Sequence, residues 1–403
     1  MVIIMDYKAK YQQWLTDEFF NESTRKELLA IKDEKEIEDR FYKYLEFGTG
    51  GLRGVMGAGT NRMNKYTVGK ATKGLGEHLL ATYDADVCAG LVGVCVKLVV
   101  TPEIIACMFA KTAADVLSGK GKRVYLHSHA RPTPQHSFSV KFWNAVAGIV
   151  LTASHNPKEY NGYKVYDEYG CQLVPHKAKK IISYVNAVTD YHSICFVGNN
   201  ALISMADVID NFIAATMKQS RYSGDKNLPI IHTPLHGTGN MSVQKRLRLA
   251  GFKNVDTVAE QVVPDGNFPT VVSPNPEDRK ELEMGIAQDE RSGAEIAKKH
   301  GLTVFSTLTG IKFIGEKITQ FQQAKATGDT TRDYTFLFGY EESYGYLVGT
   351  HARDKDAVVF SLLICEMVAQ LREQSKTLFD RMNELYEEYG YYRDALDSFT
   401  LKG

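Results

Sequence analysis

The sequence predicts an α/β protein made of serial α/β domains, with mixed sheets flanked by helices. Three observations carry that reading. The chain has 403 residues, well over the roughly 150 of one average domain. Short apolar runs of strand length alternate with stretches of helical period. That alternation is met three times along the chain, without a literal repeat. With 44% hydrophobic and 24% charged residues, the composition is that of an ordinary globular protein and excludes a disordered or fibrous chain.

The opening is helical: Tyr7 to Phe20 and Thr24 to Tyr44 carry apolar residues three and four apart, with Asn21-Glu22-Ser23 as break and cap. A glycine-rich segment, Phe47 to Gly54, precedes a helix from about Thr67 to Tyr83. Strands are then expected at Leu91–Val100, Arg123–Leu126 and Ala147–Thr152, with helices at Pro102–Leu117 and Pro134–Asn144 between them. A second unit reads as helix Leu202–Lys218, strand Pro229–His232, helix Met241–Ala250 and strand Asn254–Ala259, and it breaks at the Pro-rich stretch 264–279. A third spans His300 to Arg372, with a strand at Phe336–Phe338 and a helix at Asp356–Leu371. Strands interleaved with helices build sheets covered on both faces, and ligands of such sheets bind in loops that follow strands.

Charge and cysteine usage exclude several classes of function. Lys plus Arg and Asp plus Glu both total 48, so no basic excess marks a nucleic-acid or acidic-membrane partner. The 6 cysteines are scattered, with no CxxC pair. This is neither a disulfide scaffold nor a zinc pattern, and it points to a reducing, cytoplasmic compartment. The start, Met1 to Lys8, lacks the basic and apolar regions of a signal peptide. Ala89 to Ala110 is largely apolar but contains Lys97, Pro102 and Glu103. Each central charge costs about 2.5–3.5 kcal/mol in a bilayer, so a buried strand and helix explain the run better.

Chemistry is expected in the loop after Thr152. The run Ile149 to Thr152 ends in Ala153-Ser154-His155-Asn156-Pro157, which presents a serine hydroxyl at a strand tip. Local pattern alone favours a polar turn. The functional alternative is a nucleophile or phosphate carrier. A neighbouring serine and histidine do not define a hydrolase triad, and no G-x-S-x-G elbow is present. Nor is there a nucleotide-binding fingerprint of the G-x-x-x-x-G-K-[ST] or G-x-G-x-x-G type.

The segment Thr152-Ala-Ser154-His155-Asn-Pro157, continued by Asn161-Gly162-Tyr-Lys164, resembles the phosphoserine loop of the α-D-phosphohexomutases, in particular the phosphoglucomutase/phosphopentomutase branch. Further segments match in the same order: Phe47 to Gly54, Arg131-Pro-Thr-Pro134, Thr233 to Gly239, Thr307 to Gly315 and Gly339 to Gly345. The resemblance implies a phosphorylated Ser154 that exchanges its phosphoryl group with a sugar phosphate and also ligates Mg²⁺. It implies Arg53 as a bidentate phosphate partner, and His155 or Lys312 as the proton-transfer group. Thr309, Gly310, Glu341 and Ser343 would contact the sugar. A glucose or pentose bisphosphate would act as activator, and a small sugar phosphate would be the partner.

Domain limits of 1–195, 196–288 and 289–403 follow from the resemblance. The sequence also departs from the family. After Pro276 to Gln288 the chain lacks the D-x-D-x-D-R metal loop, and it continues at Asp289 into what resembles a late part of the third domain. Asp84/Asp86 and Asp354/Asp356 are the D-x-D pairs that remain, and they read as ordinary surface charges. The strand Val92–Val100 has no Tyr-Asp-x-Arg element, and the chain ends before a fourth domain. An incomplete member is therefore expected, with weak Mg²⁺ binding. Unpaired sheet edges, uncovered apolar faces and impaired catalysis are expected with it.

Overall fold

The computed structural model describes residues 6–48, 50–83, 92–96, 103–152, 156, 158–265, 267–270, 290–341 and 345–391, with only the backbone of 92–96, 103–107 and 290–294. Helices α1 (Tyr7–Thr16), α2 (Glu22–Ala30) and α3 (Glu34–Phe41) open the chain, each started by a side-chain cap from Asp6, Asn21 and Asp33. The single helix expected over Thr24–Tyr44 is thus two, because the Asp33 side chain takes the Lys35 N–H and begins a new helix. Trp14 stacks on Phe20 at 4.2 Å and anchors an aromatic core with Tyr66 and Tyr191.

The main sheet has six strands in the order β1-β5-β4-β2-β3-β6. They are β1 (Gly51–Val55), β2 (Val92–Val96), β3 (Val124–His127), β4 (Ala147–Leu151), β5 (Tyr160–Asp167) and β6 (Ile203–Ala206). The centre is parallel, while β5 runs antiparallel to both β4 and β1. Every residue of β4 is buried, as expected for a strand with both faces covered. Ile149 and Leu151 join the larger core and Val150 packs with Tyr166 in a separate cluster, the two-residue alternation of a strand.

The larger core is closed by α4 (Lys65–Thr82), α5 (Glu103–Gly119) and α7 (Pro175–Ala187), and α6 (Thr133–Phe142) packs against β4 and β2. A Cβ on Gly74 would stand 2.5 Å from the Val185 backbone, so α4 and α7 approach where no side chain intervenes. The helix expected over Leu202–Lys218 is instead β6 followed by α8 (Ile209–Met217). Ile203 to Ala206 are taken by the free edge of β3, a pairing partner that helical periodicity cannot register.

The second unit is a two-stranded parallel sheet, β7 (Ile230–His232) with β8 (Val255–Thr257), and α9 (Asn240–Leu249). Its core includes Val358 and Leu362 from α12 (Ala357–Glu373), a helix from much later in the sequence. The third unit holds α10 (Glu290–Lys299), α11 (Ile311–Thr327) and the antiparallel pair β9 (Phe338–Tyr340) and β10 (Tyr346–Val348). Helix α13 (Leu378–Tyr389) ends the described chain.

Under the sheet, His127 and His136 are almost fully buried, with ring centres 6.1 Å apart. His127 exchanges a hydrogen bond with Ser139 at 3.0 Å, while neither His136 ring nitrogen has a partner among the described residues. Burial pushes the His127 imidazole down to about 4, and burial together with His127 pushes His136 well below its usual value. A histidine depressed in the folded state binds its proton in the unfolded chain first, so folding free energy is lost as pH falls from 6.5 toward 4. For His127 alone that loss is about 3 kcal/mol. Urea titrations across this range should therefore show a steep acid fall in stability, and the His127→Gln variant should flatten it.

Candidate active site

The loop expected to carry chemistry leaves β4 at Leu151. Thr152 is buried and its N–H donates to the Gly162 carbonyl at 2.9 Å. Ser154 and His155 lie outside the described residues, as does Ser343, and so does any contact they make. Asn156 is described, and it fixes the neighbourhood: its Oδ1 accepts from Arg53 Nη1 at 3.3 Å.

Two glycines bring Arg53 there. Arg53 stands opposite Gly162 in the β1–β5 register. Gly51 holds φ at +118°, and a Cβ on it would stand 1.7 Å from the Tyr163 carbonyl oxygen, so only glycine lets β1 begin against β5. At Gly162 a Cβ would come within 2.5 Å of the Thr152 oxygen and 3.1 Å of the Leu52 oxygen. Asn161 is buried and its Oδ1 accepts the Gly162 N–H at 2.7 Å. The result is an exposed guanidinium beside the strand-end loop, and such a planar cation suits a phosphate.

A second group gathers at the N-terminus of α11. Gly310 caps the helix at φ +127°, and Lys312 sits in its first turn. Glu341 Oε1 accepts the Ile311 N–H at 2.8 Å, and its Oε2 accepts from Lys355 Nζ at 2.7 Å. Thr309, Gly310 and Glu341 line one cavity of about 450 Å³. Glu341 thus neutralises the positive helix end and is held by an ammonium. The Lys312 carbonyl accepts from Cys171 Sγ at 3.3 Å, tying this helix start to the first unit.

Asp354 and Asp356 overturn the expectation of surface charges: both are buried. Asp354 accepts from Tyr166 Oη at 2.5 Å and Gln172 Nε2 at 3.0 Å. Asp356 caps α12 through the Val358 and Val359 N–H groups and pairs with His351 at 2.7 Å. Their oxygens are committed inward, and no group of three His, Cys, Asp or Glu side chains suited to a metal occurs among the described residues. Nothing described therefore fits Mg²⁺, and the segment 271–289, where a metal loop is expected to be missing, lies outside the described residues.

Two other matched motifs make buried polar contacts. Arg131 Nε donates to Asp207 Oδ2 at 2.8 Å and Gln135 to Asp207 Oδ1 at 2.9 Å, which joins α6 to the start of the second unit. In the loop after β7, Leu235 and His236 both take positive φ. His236 is held by the Val263 carbonyl at 3.1 Å and Thr270 at 3.0 Å. Lys355 and Asn156 were not singled out by sequence reasoning. For Lys355, the cue was its place between two aspartates that helix packing draws inward.

An exposed guanidinium beside a strand-end loop and, on another unit, a cavity at a helix start are features of an α/β protein that binds an anionic small molecule. Alpha/beta/alpha domains I, II and III of the phosphoglucomutase/phosphomannomutase family match residues 103–192, 209–299 and 291–389. The chain belongs to that family, within the phosphohexomutase superfamily, and so to the isomerase-type phosphomutases.

The chain is 29% identical to a phosphoglucomutase of Staphylococcus haemolyticus (strain JCSC1435), covering 91% of this chain and 76% of that one. It is also 29% identical to that of Staphylococcus aureus (strain MRSA252), covering 95% and 79%. These alignments run over 437 and 453 positions, more than the 403 residues present, so the relatives hold residues within the matched span that this chain lacks. A structure described as a phosphomannomutase from Thermus thermophilus superposes with TM-score 0.66 at 23% identity, covering 86% of this chain and 84% of that one. Parafusin (phosphoglucomutase) from Paramecium, in its open form, gives 0.61 at 14%, covering 87% and 75%.

Replacing Glu341 by Ala removes the acceptor at the α11 start and leaves Lys355 without this carboxylate. Urea unfolding should show a loss of about 1–2 kcal/mol, with Glu341→Gln losing less because an amide oxygen still accepts the Ile311 N–H.

Proposed function

We propose that this chain is a phosphoglucomutase-type mutase that moves a phosphoryl group between the 1-position and the terminal hydroxyl of an aldose phosphate. The observation that carries the reading is Arg53 held beside the strand-end loop through Asn156, in a chain that matches three domains of one family. In this reading Ser154 carries the phosphoryl group. Its P–Oγ bond breaks, the electron pair staying on Ser154 Oγ, which takes up a proton, as a new P–O bond forms to the sugar hydroxyl, whose own proton passes to His155 or Lys312. The bisphosphorylated sugar then turns over and returns its other phosphate to Ser154.

Arg53 neutralises the phosphate, and such electrostatic positioning supplies most of the catalysis in phosphoryl transfer. Thr309, Gly310, Glu341 and Ser343 face the sugar. Mg²⁺ on the phosphoserine, a glucose or pentose bisphosphate activator and a cytoplasmic location complete the proposal. No described helix is long and apolar enough to cross a membrane. The proposed division is 1–195, 196–288 and 289–403, with the metal loop missing from the second domain.

A second reading is a catalytically impaired remnant that binds sugar phosphate. The residues its relatives hold within the matched span, and this chain lacks, favour it.

Incubation with glucose 1-phosphate, a glucose bisphosphate and Mg²⁺ separates the two. Turnover that disappears in Ser154→Ala, with a phosphopeptide at Ser154 by mass spectrometry, is the expected result. Folded protein that binds the sugar phosphate without turnover would establish the remnant. Arg53→Ala should lower activity by at least 10²-fold at nearly unchanged stability, since its side chain is exposed and a lost oxyanion partner costs about 3 kcal/mol of transition-state binding.

A further inference from the structure

Strand β5 registers more than β1. Gly162 lies opposite Arg53, and Tyr166 follows on the same strand, roughly 13 Å further along. Tyr166 is fully buried, packed on Val150 and edge-on to the His136 ring at 5.1 Å. A ring held in this way leaves its hydroxyl a single direction, and Tyr166 Oη donates to Asp354 Oδ2 at 2.5 Å. Gln172 Nε2 donates to the same oxygen at 3.0 Å, and the Lys355 N–H donates to Asp354 Oδ1 at 2.8 Å. Asp354 is 1% exposed, so both its oxygens are fixed away from water by segments far apart in the chain.

Lys355 Nζ in turn donates to Glu341 Oε2, and Glu341 Oε1 accepts the Ile311 N–H. One path of contacts thus runs from Tyr166 through Asp354 and Lys355 to Glu341 and the start of α11. We propose that Tyr166 and Asp354 are positioning residues for Glu341, a role that rests on the sugar-facing place proposed for Glu341 above. The strand that sets Arg53 would then also set the carboxylate that meets the sugar.

Two observations favour positioning over simple attachment. The turn is already attached by its neighbours. The Arg353 N–H donates to Ser137 Oγ, Lys141 donates to the Thr350 carbonyl, and the Asp356 N–H donates to the Tyr346 carbonyl. Asp354 adds the contact to the Lys355 N–H, which fixes the direction in which that side chain leaves the turn. A buried carboxylate is also a costly means of attachment, since well-packed apolar residues often hold as firmly. What it supplies is one geometry. The same gauge reaches α11 directly, because Cys171, next to Gln172, bridges to Arg353 and donates to the Lys312 carbonyl.

Tyr166→Phe removes the hydroxyl and keeps the ring, and its effect should depend on Glu341. Glucose 1-phosphate affinity by isothermal titration calorimetry, and kcat/KM, should each fall about tenfold in the wild-type background and less than about twofold in the Glu341→Gln background. A merely structural loss would weaken both backgrounds alike. Tyr163→Phe, which removes from the same strand the buried hydroxyl that Thr72 donates to, should leave both readings unchanged. Exchange of the Ile311 amide reports the Glu341 contact without any ligand. It should quicken about fivefold in Tyr166→Phe, and also in Gln172→Met, which removes the other side-chain donor to Asp354 Oδ2 and serves if the first variant misfolds.

Equal losses in the two Glu341 backgrounds overturn the proposal, and so does an Ile311 amide that neither variant quickens. A wild-type chain that neither binds nor turns over glucose 1-phosphate counts against the proposed function instead. The Ile311 amide then decides alone: quickened exchange keeps Tyr166 and Asp354 as the residues that place Glu341, and unchanged exchange removes them from that role.

Discussion

The site depends on one close approach, where Gly162 of β5 passes between the end of β4 and the middle of β1. Three strands meet there, and the Thr152 and Leu52 carbonyl oxygens leave no room for a Cβ. Had this position carried a side chain, β1 would have to move outward and take Arg53 away from Asn156. Backbone carbonyls cannot yield as a flexible side chain can, so the constraint is absolute where a softer contact would be graded. The buried Asn161 amide closes on the Gly162 N–H and fixes the same point from below. An exposed guanidinium is thus positioned by the absence of a side chain on the neighbouring strand, and this ties the Gly-Gly-Leu-Arg segment to the Asn-Gly-Tyr segment.

The units are joined by a different device. Residues 350–354 bring buried polar groups into the first unit: the Arg353 N–H donates to Ser137 Oγ at 2.7 Å, and Lys141 Nζ donates to the Thr350 carbonyl at 2.8 Å. Burial, with Arg353 nearby, pulls the Lys141 ammonium down to about 7, and burial pulls Arg353 down to about 10. Two cations kept from water repel each other and are offset by carbonyls, Gln322 and the field of the Asp167 carboxylate. An apolar junction would hold more simply. A polar one specifies a single mutual placement of α6, α11 and the 350–354 turn, since each donor is satisfied only in that arrangement. The same segment continues into Lys355 and Asp356, so the turn that locks the units also supplies the ammonium on Glu341.

Much of this was legible in the sequence. The three-fold α/β alternation, the buried β4 and the loop that follows it are written in apolar runs and turn residues, because those signals are local. The family resemblance rests on motifs in order, and the matches over 103–389 agree with it. What local pattern could not show is what long-range packing decides. The strand β6 has no period of its own and exists because β3 offers an edge. The strand β1 is glycine-rich and short, and it is a strand because β5 lies beside it. The pair Asp354/Asp356 looks like solvated charge until Tyr166, Gln172 and His351 arrive from other segments. Arg53 could be placed near the loop only by resemblance, since its register depends on two glycines far apart in sequence.

The third unit is where local preference and global packing part company. Leu302 to Leu308 has the composition of a buried central strand, yet among the described residues it pairs with no strand, and Leu302, Val304, Phe305 and Leu308 are exposed. A segment selected only for its own exposed position would carry charges or proline, the usual guards of an edge. Its composition instead fits a place between two neighbours. The relatives hold additional residues inside the matched span. Thr309, Gly310 and Glu341 line the same cavity as this segment. Packing in that cavity therefore bears on the start of α11, where Glu341 accepts the Ile311 N–H.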